Sequence, residues 1–138
     1  MIKEYSTGLQ HIGIPACNLD ESVAFYETLG FTVVHRKKTK HGETPVEVAF
    51  IKLDDLVIEL FQLEGVLLDE IKQRQKGHID HFAINVKSVD KLFEKMQASE
   101  LTLLDNELQT IDIYEKGVTF FSILGPNKEV IEFNERMQ

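Results

Sequence analysis

Tryptophan is missing from this 138-residue chain, and cysteine occurs once, as Cys17. A single thiol excludes an intrachain disulfide and fits a reducing compartment, so a cytoplasmic protein is expected. No nearby His or basic pair marks Cys17 as a nucleophile, and its expected role is a small buried filler. Long apolar runs are missing too. None approaches the length that spans a membrane, and the opening MIKEYSTGLQ lacks the apolar centre of a signal peptide. Positive charge is scarce, with 15 Lys plus Arg against 23 Asp plus Glu and a formal net charge of −8. Nucleic acid and anionic membrane surfaces both need a basic patch, so neither is expected as a partner. The cluster Arg36-Lys37-Lys38-Thr39-Lys40 is the local exception. It reads as a solvated strand end, with a second use open to it as receiver of an anionic substrate.

What is present is an ordinary globular composition, 43% apolar and 28% charged, in a length that suits one compact domain over 1–138. Inside that domain lies a repeat. With a shift of 70, Leu9-Gln10-His11-Ile12-Gly13-Ile14-Pro15-Ala16 falls on Ile79-Asp80-His81-Phe82-Ala83-Ile84-Asn85-Val86. The match runs on through Asp20 and Asp90, Val23 and Phe93, Tyr26 and Met96, and Thr32 and Thr102, and the same shift sets Val48 on Val118 and Phe50 on Phe120. Further along, Leu56-Val57-Ile58-Glu59-Leu60 matches Glu129-Val130-Ile131-Glu132-Phe133 at a shift of 73. The three extra residues are expected in the turn where Gly125-Pro126-Asn127-Lys128 replaces Asp54-Asp55. Size and polarity kept in register over so long a span indicate duplicated modules.

Each module reads as a strand, a helix and then three strands. Ile12 and Ile14 share one face of the first strand, opposite His11 and Gly13, as Phe82, Ile84 and Val86 stand opposite His81, Ala83 and Asn85. A helix follows in each, capped by Asn18 or Asp20 in one copy and Ser88 in the other, with Gly30 suited to stop the first. Val23 and Tyr26, like Leu92, Phe93 and Met96, recur at helical spacing and form core stripes. The remaining strands are predicted near 32–38, 46–53 and 56–62, and near 102–105, 117–124 and 129–134. The modules span 8–63 and 78–135, joined by a helical connector over 64–77.

With helices on one face of each sheet, the other face carries His11, Glu59, His81 and Glu132. A carboxylate within Val57-Ile58-Glu59-Leu60-Phe61 or Val130-Ile131-Glu132-Phe133 is costly unless it is paired or bound to a metal. Two imidazoles and two carboxylates suit a borderline divalent ion such as nickel, cobalt, zinc, manganese or iron, and leave positions for a chelating substrate. A salt-bridged His–Glu cluster without metal is the other reading of the same residues. His35 and His41 have no His partner in the repeat and read as packing, and Glu47 reads as solvent-facing. The repeat separates the two histidines of Gly77-His78-Ile79-Asp80-His81: His81 matches His11, whereas His78 matches Gly8 and reads as a loop residue.

Gln10-His11-Ile12-Gly13-Ile14, Phe25-Tyr26-Glu27-Thr28-Leu29-Gly30-Phe31, Val57-Ile58-Glu59-Leu60, Asp80-His81-Phe82-Ala83 and the closing Gly125-Pro126-Asn127-Lys128-Glu129-Val130-Ile131-Glu132-Phe133 resemble the vicinal oxygen chelate superfamily, the glyoxalase I, bleomycin-resistance and dioxygenase group. The resemblance covers nearly the whole chain. It implies an α+β fold of two tandem βαβββ modules whose sheets form a cup or incomplete barrel, commonly in homodimers. It also implies one divalent metal per site, with His11, Glu59, His81 and Glu132 as ligands and nickel or cobalt favoured over zinc or manganese. That ligand set is similar to bacterial glyoxalase I, or lactoylglutathione lyase. The implied reaction acts on the hemithioacetal of methylglyoxal and a thiol through an enediolate held at the metal, with Glu132 or Glu59 moving the proton.

Glyoxalase I usually continues the second ligand strand as Glu-Leu-Thr, then a polar residue and Asn, which help hold glutathione. Glu59-Leu60-Phe61-Gln62 departs from that pattern, which leaves the thiol open. One alternative is a methylmalonyl-CoA epimerase-like isomerase acting on a small acyl-CoA, with Glu43 and Glu132 as opposed bases, although that enzyme usually carries Gln at the Glu59 position. Another is a metal-free drug-binding module of the bleomycin-resistance kind. Such modules rely on aromatic stacking, and the missing tryptophan weighs against this.

Overall fold

The computed structural model describes residues 11–41, 43–76, 79, 81–111 and 116–137. They form, in order, β1 (Ile12–Pro15), α1 (Leu19–Thr28), β2 (Thr32–His41), β3 (Thr44–Leu53), β4 (Leu56–Gln62), α2 (Gly65–Gln73), β5 (Phe82–Asn85), α3 (Val89–Gln97), β6 (Thr102–Leu103), β7 (Gln109–Ile111), β8 (Val118–Leu124) and β9 (Val130–Arg136). The fold is α+β with two sheets, of strand orders β1-β4-β3-β2 and β5-β9-β8-β6, and β7 also pairs with β8. Two compact units result, Met1–Glu70 and Ile71–Gln138, divided within α2. Among the described residues no helix is long and apolar enough to cross a membrane. His78 lies outside the described residues.

In the first unit, β1 pairs in parallel with β4, and β4, β3 and β2 are antiparallel neighbours. Alternation sends Ile14, Ala49, Ile51, Ile58 and Leu60 to one face, and all five are buried. The helix α1 covers that face with Leu19, Val23 and Tyr26, as helical spacing predicts. The second unit repeats the plan. Its β5 is parallel to β9, and Phe82, Phe121, Ile123, Ile131 and Phe133 are buried with Val89, Phe93 and Met96 of α3.

Helix ends show how closely the repeat is kept. The Leu19 N–H donates to Gln62 Oε1 at 2.6 Å and the Val89 N–H to Glu135 Oε2 at 2.9 Å, so the end of the strand that pairs with each unit's first strand caps that unit's helix. Of the two candidate caps for α1, the structure selects Asn18, whose Oδ1 accepts from the Glu21 N–H at 3.1 Å. Ser88 stands at the N-cap of α3 but turns its hydroxyl to Asp90. Gly30 ends α1 in the left-handed region with φ 96°, as its place after the helix predicts.

The register corrects two expectations. Ile51 pairs with Ile58 in the first unit and Ile123 with Ile131 in the second, which sets the shift between β3 and β8 at 72. Val48 therefore corresponds to Phe120, and Phe50 to Ser122. One of the three extra residues lies in the β8–β9 turn, and the other two fall earlier, between β6 and β8. The face assignments survive because a slip of two residues in a strand restores every side chain to its side. Cys17 is the second correction. It is partly exposed, placed just ahead of α1 beyond the buried Ala16, and so does not fill the core.

The β8–β9 turn holds a buried carboxylate that sequence patterns did not single out. Glu129 is 3% exposed and its Oε2 accepts from the Asn127 N–H at 2.7 Å. A Cβ at Gly125 would come within 2.3 Å of its Cδ, so only glycine leaves room for it.

Candidate functional site

Each unit leaves the sheet face opposite α1 or α3 uncovered by that helix, and the sequence-predicted polar residues lie there. In the first unit Gly13 is paired with Glu59, and Glu59 is in turn paired with Phe50. His11, two residues before Gly13, projects to the same side. Its Nε2 is 3.1 Å from Glu59 Oε2, and both side chains are about one-quarter to one-third exposed at 30% and 25%. The Phe50 ring meets His11 edge-on, with centroids 5.5 Å apart.

The fit to a metal can be judged from this pair. Ligand atoms each about 2.1 Å from one ion stand roughly 3.0 to 3.4 Å apart when they subtend a right or a tetrahedral angle. The observed 3.1 Å lies in that range, as it also does for a hydrogen-bonded ion pair. Imidazole and carboxylate are suitable donors for the divalent ions expected. These residues fit a metal.

The second unit has the matching arrangement in its backbone. Ala83 is paired with Glu132, and Glu132 with Ser122. The half-buried Glu132 accepts from Asn134 Nδ2 at 3.0 Å, while His81, directly before β5, is exposed. Asn134 was not foreseen. It occupies the position that Phe61 holds in the first unit, and the 73-residue shift could have exposed it as the polar member of an otherwise apolar pair. Among the described residues no three His, Cys, Asp or Glu side chains are gathered closely enough to hold an ion. Taken singly, each unit offers at most half of the four-residue set.

Three further residues take definite places. His35 is paired with Phe50 and its ring lies 6.3 Å from that ring, on the same sheet face as Glu59. It is exposed and stands beside the candidate site instead of being packed in the core. Arg36 is taken up by carboxylates: its NH2 lies 2.5 Å from Asp20 Oδ1 and 2.8 Å from Glu47 Oε1. The hydrogen bond that Arg36 donates to Asp20, followed by those it donates to Glu47, raises the guanidinium above its ordinary value. Glu47 is thus an ion-pair partner and not simply solvent-facing. Glu43 is exposed in the β2–β3 turn, seven residues along from Phe50. At ~3.3 Å per residue, that is roughly 20 Å or more from the Glu59 row.

A groove of about 710 Å³ opens on the same face of the first unit, with Glu59 at its edge. Phe61 and Leu63, which stand where glyoxalase I usually has Thr and Asn, both line it. Gln62 points to the other side and is engaged by the α1 N-terminus.

No curated protein matches the chain significantly in sequence. Solved structures do match in fold. A glyoxalase family protein from Bacillus cereus superposes with a TM-score of 0.74 at 18% identity, covering 100% of this chain and 99% of its own. The trypanothione-dependent glyoxalase I of Leishmania major gives 0.66 at 25% identity, covering 94% and 87%. The genomically encoded fosfomycin resistance protein FosX of Listeria monocytogenes, complexed with Mn(II) and sulfate, gives 0.65 at 15% identity, covering 96% and 94%. The family profile of the Glyoxalase/Bleomycin resistance protein/Dioxygenase superfamily matches residues 8–133, and the chain belongs to that superfamily.

Proposed function

We propose that the protein is a metal-dependent lyase or isomerase of the glyoxalase I type, moving a proton between neighbouring carbons of a 2-oxoaldehyde–thiol adduct. The observation that carries this reading is the His11–Glu59 pair at 3.1 Å on an open sheet face, with Glu132 at the matching register position of the other unit. His11, Glu59, His81 and Glu132 would hold one divalent ion, nickel or cobalt before zinc or manganese. When bound, the ion supplies positive charge beside two neighbouring substrate oxygens and favours the anion formed as a proton leaves carbon.

The chain's own residues do the rest. A carboxylate, Glu132 or Glu59, takes the proton from one carbon and returns it to the next, acting as base and then acid. Asn134 holds Glu132 by one oxygen, which fixes the carboxylate's orientation while leaving the other oxygen to work. Phe50 packs against His11 and sets the plane of its ring. The epimerase alternative needs Glu43 at the same carbon, and its place in the β2–β3 turn, far along the strand from Glu59, speaks against that.

The test is metal content and turnover together. Purified protein incubated with nickel or zinc should retain about one ion per chain, and Glu132→Gln or His81→Ala should lose it. Methylglyoxal mixed with several thiols should give thioester. Retention of no metal at all would overturn the reading and leave a metal-free binding module. Co-expression of Glu59→Gln with Glu132→Gln asks whether the four residues meet within one chain or across a homodimer. Recovered activity in the mixture requires the shared arrangement, because only mixed dimers then rebuild an intact set.

A further inference from the structure

We propose that the open face of the first unit binds the non-reacting part of the substrate as an apolar body ending in an anion, and not as a glutathione-like peptide. This rests on the proposed role of Glu59, which marks the reacting end of the groove. Its floor and walls are Val46, Val48, Phe61, Leu63 and Leu67. Beyond them, at the end remote from Glu59, stand Lys40 and the hydroxyl residues Thr39 and Thr44. Lys37 lies in the cross-strand row of Val48 and Phe61, which puts a second ammonium on this side of the sheet. Arg36, the neighbouring cation, is already matched by Asp20 and Glu47.

The polarity along the groove therefore runs in one direction: a carboxylate–imidazole pair, then an apolar trough flanked by Lys37, then the end lined by Lys40, Thr39 and Thr44. In a chain of net charge −8, a lysine at one end of an apolar groove and a second beside it are a selective feature and not a general surface property. The volume of about 710 Å³ is that of a small-molecule site. A tripeptide thiol brings amide N–H and C=O groups along its whole length. Val46, Val48, Phe61 and Leu63 offer those groups no side-chain partner, and burying them unpaired is unfavourable. An alkyl or aryl body loses nothing there and gains by leaving water.

The probes are straight-chain carboxylates from butanoate to octanoate, titrated into the full, metal-stripped chain and followed by amide NMR shifts. Octanoate should shift Val46, Val48, Phe61 and Leu63, and affinity should climb about three- to fourfold per methylene as each is buried. Phe61→Asp should weaken octanoate by roughly tenfold or more, about the worth of two buried methylenes. Lys40→Gln should weaken octanoate severalfold and leave 1-octanol unchanged. The length series on unaltered protein keeps the test readable if Phe61→Asp unfolds. Affinity that does not depend on chain length, or glutathione shifting the same amides at lower concentration than octanoate, would overturn the proposal. So would an equal effect of Lys40→Gln on octanoate and octanol. Because no metal is present, failure here is separate from failure to retain nickel or zinc, which would strike the proposed reaction instead.

Discussion

The two units share a backbone plan, but corresponding positions are filled with different volumes and polarities. On the open face the first unit sets Val48, Phe50 and Phe61 where the second sets Phe120, Ser122 and Asn134. The glutamates Glu59 and Glu132 are the constant feature. Under the helices the sizes are exchanged. Tyr26, Ala49 and Leu60 in the first unit correspond to Met96, Phe121 and Phe133 in the second, and all six are at most 8% exposed. In these slots the first core carries one ring, Tyr26 of α1, whereas the second carries Phe121 and Phe133 on its strands and adds Phe93 of α3, with Phe121 5.0 Å from Phe93 and 5.3 Å from Phe133. A duplicated fold thus keeps its register, while the volumes that fill its slots are free to change as each core repacks. What both copies preserve against such drift, a His and a Glu on the open face, is the part packing alone does not explain.

The largest expected effect falls on those constant residues. If both units contribute to one site, Glu59→Gln and Glu132→Gln should each lower turnover by about 10²- to 10⁴-fold and should both abolish metal retention. Thermal unfolding of the apo forms should stay close to that of the unaltered protein, since both carboxylates are partly exposed. Loss from only one of the two variants would break the symmetry and assign the chemistry to a single unit.

Next in size is the exchange of core volumes. Phe121→Ala should cost about 3–5 kcal/mol, because it empties a fully buried slot between two aromatic rings. The mirror change, Ala49→Phe, forces a ring into a fully buried alanine slot on the helix-covered face and should destabilise by about 1–3 kcal/mol or more. Denaturant unfolding of both variants checks this. An Ala49→Phe variant as stable as the parent would mean that the two cores are not filled as complementary sets.

The fold was legible in the sequence to the extent that its signals were periodic. Strand alternation put His11 with Gly13 opposite Ile12 and Ile14, and helical spacing identified Val23 and Tyr26, so both faces could be assigned before any coordinates. The slip from 70 to 72 was not legible, because two-residue displacements leave alternation intact and the apolar runs in β3 and β8 match equally well either way. The buried Glu129 was missed for a different reason. Its environment is made by a turn, a missing side chain at Gly125 and a backbone amide, none of which has a repeat period. For the site, sequence supplied the residue types and the structure supplied the His11–Glu59 approach. The groove required both, since Phe61 and Leu63 look like ordinary core residues until the sheet face they line is known to be open.

Smaller again is the effect at the helix caps. Gln62→Ala and Glu135→Ala each remove an acceptor from the first turn of a helix and should cost about 0.5–2 kcal/mol. The loss should be greater for Glu135, whose negative charge also complements the positive end of the α3 dipole. Equal losses in the two variants would show that the charge adds nothing to the hydrogen bond.

The least effect expected is on pH dependence, and it should separate the same two helices. The N-terminus of α3 carries Asp90, whose carboxylate is lowered below its ordinary range first by the Ser88 hydroxyl and then by the Lys91 backbone N–H. A group lowered in the folded state contributes stability that is present above its unfolded value and is lost as pH falls through the folded one. Acid should therefore loosen the first turn of α3, read as a lower exchange protection factor at Leu92, whose N–H bonds to the Ser88 carbonyl at 3.2 Å. Asn18 and Gln62, which hold the start of α1, carry no charge, and the matching Ser22 amide, 3.0 Å from the Asn18 carbonyl, should respond less. Asp90→Asn should remove the difference between the helices. If Ser22 and Leu92 still respond differently in that variant, Asp90 is not the source of the sensitivity.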